Sequence, residues 1–588
     1  MSTVILGINA YHGDASACVV IDGELKAAVE EERFRRIKHW AGFPKYAIEY
    51  CLSDVNCNLE DVDYIAINRK PNANLHKKAL FAFSKKPSLN LIKERLANVS
   101  KVKDVLQELS EAFAIPAEKM KAKMCNIEHH RAHLGSSFYV SPYDKAALVS
   151  VDGFGDFVST MWGYGEGQTI FVRDQIYFPH SLGMFYLALT QYLGFDKYGD
   201  EYKVMGLSPY GKPSEMDKMR EIVQLEANGK FQLNLDYFNH HSVGVVNIWD
   251  NSEPKIGQVF SSNLEELLGP KRSSSEPLTD YHKNIAASVQ TMYEEAFFSI
   301  LNHVQKETEA SKLCLAGGCA MNSVANGKIL ERTNYDGFYI QPAAGDAGGA
   351  IGAAYSVWHE QLKKPRQFIM NHAYWGPEYS EDVYHQLIVD QKTSLESEDC
   401  QVTLYDKEEE LCAAVAKFIS EGEVIGWFQG RMEWGARALG NRSILADPRR
   451  ADMKDILNLK IKRRESFRPF APSILREETN KWFETDYDVP FMLKVFQIKE
   501  DKRCEIPAVT HVNGSGRLQT VTKESNARYY QLIKSFYDLS DVPMLLNTSF
   551  NENEPVVCKP KEAMDCFLRT KMDVLVLGNY VIRRQNNT

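Results

Sequence analysis

Four side chains in this sequence are of the kinds that hold a metal ion. His129 and His133 stand in Glu-His-His-Arg-Ala-His, spaced i and i+4. On a helix that spacing puts both imidazoles on one face, a turn apart, a common way to present two metal ligands. Asp152 opens a Gly-rich stretch, Asp152-Gly-Phe-Gly-Asp156, and Asp346 lies in Ala-Gly-Asp-Ala-Gly-Gly. Two imidazoles and two carboxylates suit Fe(II), Mn(II) or Zn(II), and geometry rather than sequence decides among them. His12, in Tyr-His-Gly-Asp-Ala-Ser, is expected on a turn facing the same cleft, where an imidazole can take a proton from a hydroxyl near neutral pH. Gly317-Gly318-Cys-Ala-Met-Asn322 follows an apolar run and precedes a helical pattern, which lets backbone approach a nucleotide phosphate closely.

A second constellation is cationic: Arg431, Arg437, Lys462, Arg463, Arg464, Arg468 and Arg517. These residues stand beside the small polar loops Asn513-Gly-Ser-Gly516 and Asn547-Thr-Ser-Phe-Asn551. A charge run such as Lys460–Arg464 is by default a solvated face. Arg437 and Arg468, however, sit in apolar or Gly/Pro-bearing contexts, and a partly buried guanidinium needs anionic partners. Small phosphate-bearing substrates would supply them.

The elements that must position these groups form a repeated plan. Val4–Ala10, a turn at His12–Asp14, Ala17–Ile21, the Asp22-Gly23 hairpin signal and Glu24–Val29 read as a strand meander. Residues 145–178 repeat the pattern, with Lys145–Val151 as strand and Asp152–Asp156 as the turn. Two lobes that each begin strand–turn–strand suggest a duplicated α/β ATPase-like core. A Lys-rich stretch at 75–123 reads as a solvated helical insertion, residues 279–309 as a long amphipathic helix, and Lys312–Ala316 as a strand running into Gly317-Gly318. The polar segment 360–372, with Pro365, marks the domain boundary, and strands are expected near 423–428, 541–547 and 573–577.

The bulk numbers narrow the class. With 588 residues the chain has room for several domains, and 44% hydrophobic with 25% charged residues is ordinary globular usage. A formal net charge of -9 argues against a polynucleotide partner. No apolar run is long enough to span a membrane, and the N-terminal residues lack a secretory pattern. Eleven cysteines without a CxxC pair fit reduced thiols, so the cytoplasm is the expected compartment.

Taken together the motifs resemble those of the O-carbamoyltransferases of the NodU/CmcH type. The resemblance rests on Gly7-Ile-Asn…His12-Gly-Asp-Ala-Ser16, Glu31-Glu-Arg-Phe…Lys38-His39, His129…His133, Val151-Asp-Gly-Phe-Gly-Asp156 and Tyr202-Lys-Val-Met-Gly-Leu207. It continues through Ala316-Gly-Gly-Cys319, Gly345-Asp-Ala-Gly-Gly349, Gly430-Arg-Met-Glu-Trp-Gly435, Arg437-Ala-Leu-Gly-Asn-Arg-Ser443, Phe467-Arg-Pro-Phe-Ala-Pro472 and Leu546-Asn-Thr-Ser-Phe-Asn551, in order and over essentially the whole length. One departure is Gly13, which separates His12 from Asp14 where the family motif has the two adjacent.

The resemblance implies an α/β chain with a two-lobed, actin/hexokinase-like (ASKHA) carbamoyl-transfer domain over 1–368 and a YrdC-like domain over 369–588. The C-terminal domain would make carbamoyladenylate from carbamoyl phosphate and ATP, through Arg437, Lys462, Arg468, Arg517, Asn547 and Ser549. The N-terminal domain would pass the carbamoyl group to a hydroxyl of a small-molecule natural product, with His12 as general base. Lys38, Asp152, Gly317, Gly318 and Asn322 would contact the adenylate. His129, His133, Asp152 and Asp346 would hold Fe(II), with Mn, Zn or Mg as alternatives, and ATP would enter with Mg as co-substrate. No nucleic acid or membrane partner is implied, and a homodimer is left open. A tRNA threonylcarbamoyl-type transferase conflicts with the acidic charge, and hydrogenase-maturation chemistry would bring CxxC zinc motifs that this chain lacks. A non-catalytic nucleotide-binding regulator would need neither the His/Asp set nor the arginines. The segment Asp236-Tyr-Phe-Asn-His-His241 is a candidate wall of the acceptor pocket, or equally core and loop.

Overall fold

The structure is a computed structural model that describes residues 2–85, 105–245, 247–250 and 253–585. The chain divides into two compact units, Met1–Met370 and Asn371–Thr588. Among the described residues no helix is long and apolar enough to cross a membrane.

Unit 1 contains two five-stranded sheets of one topology. The first is built from β1 (Val4–Asn9), β2 (Ser16–Ile21), β3 (Glu24–Glu30), β4 (Tyr64–Ile67) and β5 (Lys123–Asn126), in the order β3-β2-β1-β4-β5. The second comprises β6 (Lys145–Gly155), β7 (Val158–Glu166), β8 (Thr169–Tyr177), β9 (Lys312–Ala316) and β10 (Gly337–Ile340), in the order β10-β9-β6-β7-β8. In each, the first three strands form an antiparallel meander, and the last two join parallel to the first strand. The repeat read from the sequence is therefore a repeat of topology, and unit 1 is a two-lobed actin/hexokinase-like fold.

The parallel strands need helical crossovers. Helix α1 (Lys45–Asp54) covers the first sheet with Ala47, Ile48, Cys51 and Leu52. Helix α2 (His129–Phe138) follows β5. Helices α3 (Leu182–Tyr192), α4 (Glu201–Leu207) and α5 (Asp280–Thr308) belong to the second lobe, and α6 (Gly349–Ser356) follows the Asp346 turn. The last packs against both α2 and β1. A Cβ at Gly352 would overlap the Ala132 carbonyl, and one at Gly7 would overlap that of Ala350, so these glycines allow the backbones to touch. The 75–123 stretch contains helices Leu75–Lys85 and Val105–Phe113, and residues 86–104 lie outside the described residues.

One expectation is corrected. Asp152–Gly155 is not a turn but the last part of β6, which pairs with β7 through an irregularity between Val151 and Gly155. The chain reverses at Asp156-Phe157, both in the left-handed region (φ 48° and 78°). A bulge and a turn draw on the same Gly/Asp vocabulary, so composition did not separate them.

Unit 2 holds a nine-stranded mixed sheet. Its strands are β11 (Cys400–Leu404), β12 (Ile425–Phe428), β13 (Arg442–Ala446), β14 (Ala471–Leu475), β15 (Lys494–Gln497), β16 (Ser515–Val521), β17 (Met544–Ser549), β18 (Val574–Leu577) and β19 (Tyr580–Arg584). The order is β11-β19-β18-β12-β13-β17-β14-β16-β15. Its core is closed by α7 (Glu408–Ser420), α8 (Ala527–Ser540) and α9 (Pro560–Thr570), which bury Val415, Ile419, Leu532, Phe536, Met564 and Phe567 against the sheet.

Candidate functional site

In unit 1 the four expected ligands converge. The start of α2 is fixed by two carboxylates: Glu128 accepts the Arg131 N–H (2.7 Å) and Asp156 accepts that of His129 (3.0 Å). These satisfy orphan donors of the first turn and aim His129 and His133 at β6. His130, between them, is spent on Ser150 Oγ (2.8 Å) and the Val158 carbonyl (3.0 Å). His129 Nε2 lies 3.2 Å from Asp152 Oδ2 and 3.5 Å from Asp346 Oδ1. His133 Nε2 lies 3.5 and 3.6 Å from the same atoms, and the two Nε2 atoms are 3.0 Å apart. Two ring nitrogens at that separation must share a proton or a cation. Ligand atoms bound at about 2.1 Å lie about 3.0 Å apart on an octahedral edge and about 3.4 Å apart on a tetrahedral one, close to the 3.0–3.6 Å spacing here. Asp346 Oδ1 is buried without a hydrogen-bond partner among the described residues. The donor set therefore fits a divalent first-row ion.

The protons held by the cluster reflect this crowding. Burial pulls the His133 imidazole down, but the nearby Asp152 and Asp346 carboxylates outweigh this and raise its pKa to about 9. Burial pushes Asp152 up, and the two histidines reverse this, holding it well below the usual carboxylate range. Burial and then the Asp152 charge push Asp346 up.

Asp152 also serves the neighbouring turn. Its Oδ1 accepts the Gly318 N–H at 2.8 Å, so one carboxylate ties the histidine cluster to the Gly317-Gly318 loop. Gly317 has φ 89°, and a Cβ there would overlap the Val151 carbonyl. Asn322 is already occupied: its Oδ1 accepts the Ala325 N–H (3.1 Å) and its Nδ2 donates to Gln290 (3.0 Å). Lys38 is exposed, beside a partly buried His39 whose charge it opposes.

His12 lies beside the cluster, its ring tilted against that of His129 with the centroids 5.0 Å apart. Its Nε2 is buried without a hydrogen-bond partner among the described residues, and burial, then Arg69 and His129, hold its pKa well below 6.5. It is an unprotonated imidazole with a free lone pair, the state a general base needs. Two contacts beside it join segments distant in sequence. Arg69 donates to the Tyr11 carbonyl (3.3 Å), and Asp14 accepts from His39 Nδ1 at 2.8 Å.

The Asp236–His241 segment is core in part, with Asp236 exposed and Asn239 and His241 half-buried. Tyr237, Phe238 and His240 are buried, with His240 Nε2 on the Pro179 carbonyl (2.8 Å) and its ring among Phe154, Phe178 and Phe238.

In unit 2 the cations separate into two groups. Arg431 donates to the carbonyls of Gly376 and Trp375, and exposed Arg463 pairs with Glu552 (3.3 Å), so both are structural. Arg517 feels Arg437, Arg464 and Arg468. Burial, then these like charges, push its pKa well below the usual arginine value, and its Nε has no hydrogen-bond partner among the described residues. Arg468 also pairs with Glu465 (3.6 Å), and a phosphate-bearing ligand would offset the like charges that act on Arg517. Buried Lys462 donates to the Ser549 carbonyl and to Asn551 Oδ1 (2.7 Å), fixing the β17 loop. Asn547 Nδ2 donates to the Ala438 carbonyl, Ser473 and Gln519, leaving its Oδ1 buried and unpaired.

The sequence reading missed what holds Arg437 in place. Glu433 Oε1 accepts the N–H groups of Leu439 (2.8 Å), Asn441 (2.8 Å) and Arg442 (3.1 Å). Fully buried Arg442 donates to the carbonyls of Gln429, Asn441, Pro377 and Gly430 and lies 3.7 Å over the Phe428 ring.

Comparison with known proteins agrees with both units. The family model of the carbamoyltransferase N-terminus matches residues 4–355, and that of the carbamoyltransferase C-terminus matches 416–584. An uncharacterised protein of Synechocystis is 41% identical over 99% of this chain and 97% of its own length. The nodulation protein NolNO of Sinorhizobium fredii is 36% identical over 98% of this chain and 80% of its own. The 3'-hydroxymethylcephem-O-carbamoyltransferase of Amycolatopsis lactamdurans is 34% identical over 46% of this chain and 48% of its own. Among solved structures, component A of the (R)-2-hydroxyglutaryl-CoA dehydratase of Acidaminococcus fermentans aligns at 13% identity with a TM-score of 0.33, covering 62% of this chain and 99% of that chain. With matched models over both units and relatives along its full length, the chain belongs to the carbamoyltransferase family, as an enzyme of the NodU/CmcH type.

Proposed function

We propose that the enzyme is an ATP-dependent O-carbamoyltransferase that works in two steps and delivers its carbamoyl group to a hydroxyl of a small-molecule natural product. The observation that carries this reading is that each step finds its own set of side chains. The first set is the guanidinium cluster of Arg437, Arg464, Arg468 and Arg517 with Lys462 and Asn547. The second is the unprotonated His12 beside the His/His/Asp/Asp cluster.

In the first step carbamoyl phosphate and ATP yield carbamoyladenylate, phosphate and pyrophosphate, with a water balancing the atoms. Such chemistry is largely positioning and charge neutralisation, which the arginines supply. The unpaired Asn547 Oδ1 can accept an N–H of the carbamoyl amide. In the second step His12 Nε2 takes the acceptor hydroxyl proton, the oxygen adds to the carbamoyl carbon, and AMP leaves. The Gly317-Gly318 backbone and Lys38 lie on the adenylate side in this reading. His129, His133, Asp152 and Asp346 would hold Fe(II), which as a bound cation supplies Lewis-acid polarisation.

Mass spectrometry of a panel of alcohols incubated with enzyme, ATP and carbamoyl phosphate tests this. The expected result is one carbamoyl group gained per AMP formed. Carbamoylation without AMP formation would contradict it.

A further inference from the structure

Tyr198 lies in the loop between α3 and α4 of the second lobe and reaches the His12 turn of the first. A Cβ at Gly13 would overlap the Tyr198 hydroxyl, so the glycine that parts His12 from Asp14 makes room for this phenol. The ring is fixed from both lobes. His39 meets it edge-on at 5.2 Å, and His39 is itself bonded to Asp14. Gly199 closes against His39 so tightly that a Cβ there would come within 2.5 Å of Nε2.

This packing explains an aromatic ring but not a hydroxyl, which makes no hydrogen bond among the described residues. Burial, and then the charges of Asp346, Asp14, Glu201 and Asp152, keep the phenol protonated. It is a half-buried neutral donor that feels the charge of these carboxylates, two of which belong to the histidine cluster. Negative charge developing on a carbamoyl oxygen here would face Asp14 and Glu201, which stand outside the metal-ligand set. A preorganised donor has its largest effect in such a place.

We propose that Tyr198 is a catalytic residue of the transfer step, donating a hydrogen bond to the carbamoyl carbonyl oxygen as the acceptor adds. The acceptor O–H breaks and its proton goes to His12 Nε2. The new O–C bond forms, and the carbonyl electron pair moves onto the oxygen that Tyr198 holds. The pair returns as the carbon–oxygen bond to phosphate breaks and the nucleotide leaves. Tyr198 keeps its own proton throughout. The two-step reading enters only through the identity of the leaving group.

The test is Tyr198→Phe, which keeps the ring and its packing and removes the hydroxyl. Transfer is measured with hydroxylamine as a surrogate nucleophile, detecting N-hydroxyurea, alongside first-turnover pyrophosphate release and metal content. The expected result is a loss of about 10²–10³-fold in kcat, the cost of one oxyanion donor, with KM for hydroxylamine within about twofold. Pyrophosphate release and metal content are expected to match the wild type. A kcat within about threefold of wild type would overturn the proposal, as would a loss of kcat that tracks loss of metal. If neither protein releases pyrophosphate while both transfer from carbamoyl phosphate, the two-step reading falls and the kcat ratio still decides the role of Tyr198.

Discussion

At the scale of single residues, Asp152 performs two tasks with two oxygens: Oδ2 faces both histidines and Oδ1 accepts the Gly318 N–H. A cluster whose His133 holds its proton up to about 9 must give up protons to bind a cation. Calorimetry of metal binding in buffers of different ionisation enthalpy is therefore expected to show proton release, and affinity is expected to fall with pH. His129→Ala is expected to strip the ion, as elemental analysis would report. A second residue-scale prediction concerns His39. Burial opposes its charge, but Asp14 raises its pKa from 6.5 to about 9. The folded value lies above the unfolded one, so the pair's contribution is fully present below 6.5 and is lost as pH rises through about 9. The imidazole is 31% exposed and solvent screens the pair, so the effect is modest. Urea midpoints are expected to fall more between those pH values in the wild type than in His39→Asn. The spacing of His129 and His133 was legible because a helix repeats locally. Arg69, Tyr198 and the Asp14–His39 bond were not, because each is made by segments distant in sequence.

At the scale of elements, α2 and β6 meet only because Gly155 has no side chain: a Cβ there would overlap the His129 ring. Gly155→Ala is expected to destabilise unit 1 by about 1–3 kcal/mol through overpacking. Displacing a ligand's support in this way is expected to weaken metal affinity by about 10–100-fold. Unchanged metal affinity would show that the helix can shift without cost. The strand meanders, the 279–309 helix and the Lys312–Ala316 strand were readable from apolar periodicity. The reach of β6 through Asp152 was not, since that decision is made by pairing with β7. The same holds for the Arg437 loop, whose shape is set by the Glu433 carboxylate and the buried Arg442 rather than by its own residues.

At the scale of the whole molecule, a net charge of -9 is an average over a chain that also gathers Arg437, Arg464, Arg468 and Arg517 in unit 2. The charges of the other three act on Arg517, which an anionic substrate would offset, so Arg437→Ala is expected to stop carbamoyl-phosphate-dependent pyrophosphate release while supplied carbamoyladenylate is still used. The central claim is that activation and transfer belong to different side-chain sets, and His12→Asn tests it most directly. Pyrophosphate release and carbamoyl ester formation are measured on the same folded sample. The account predicts that first-turnover pyrophosphate release persists and ester formation is abolished; loss of both would contradict it.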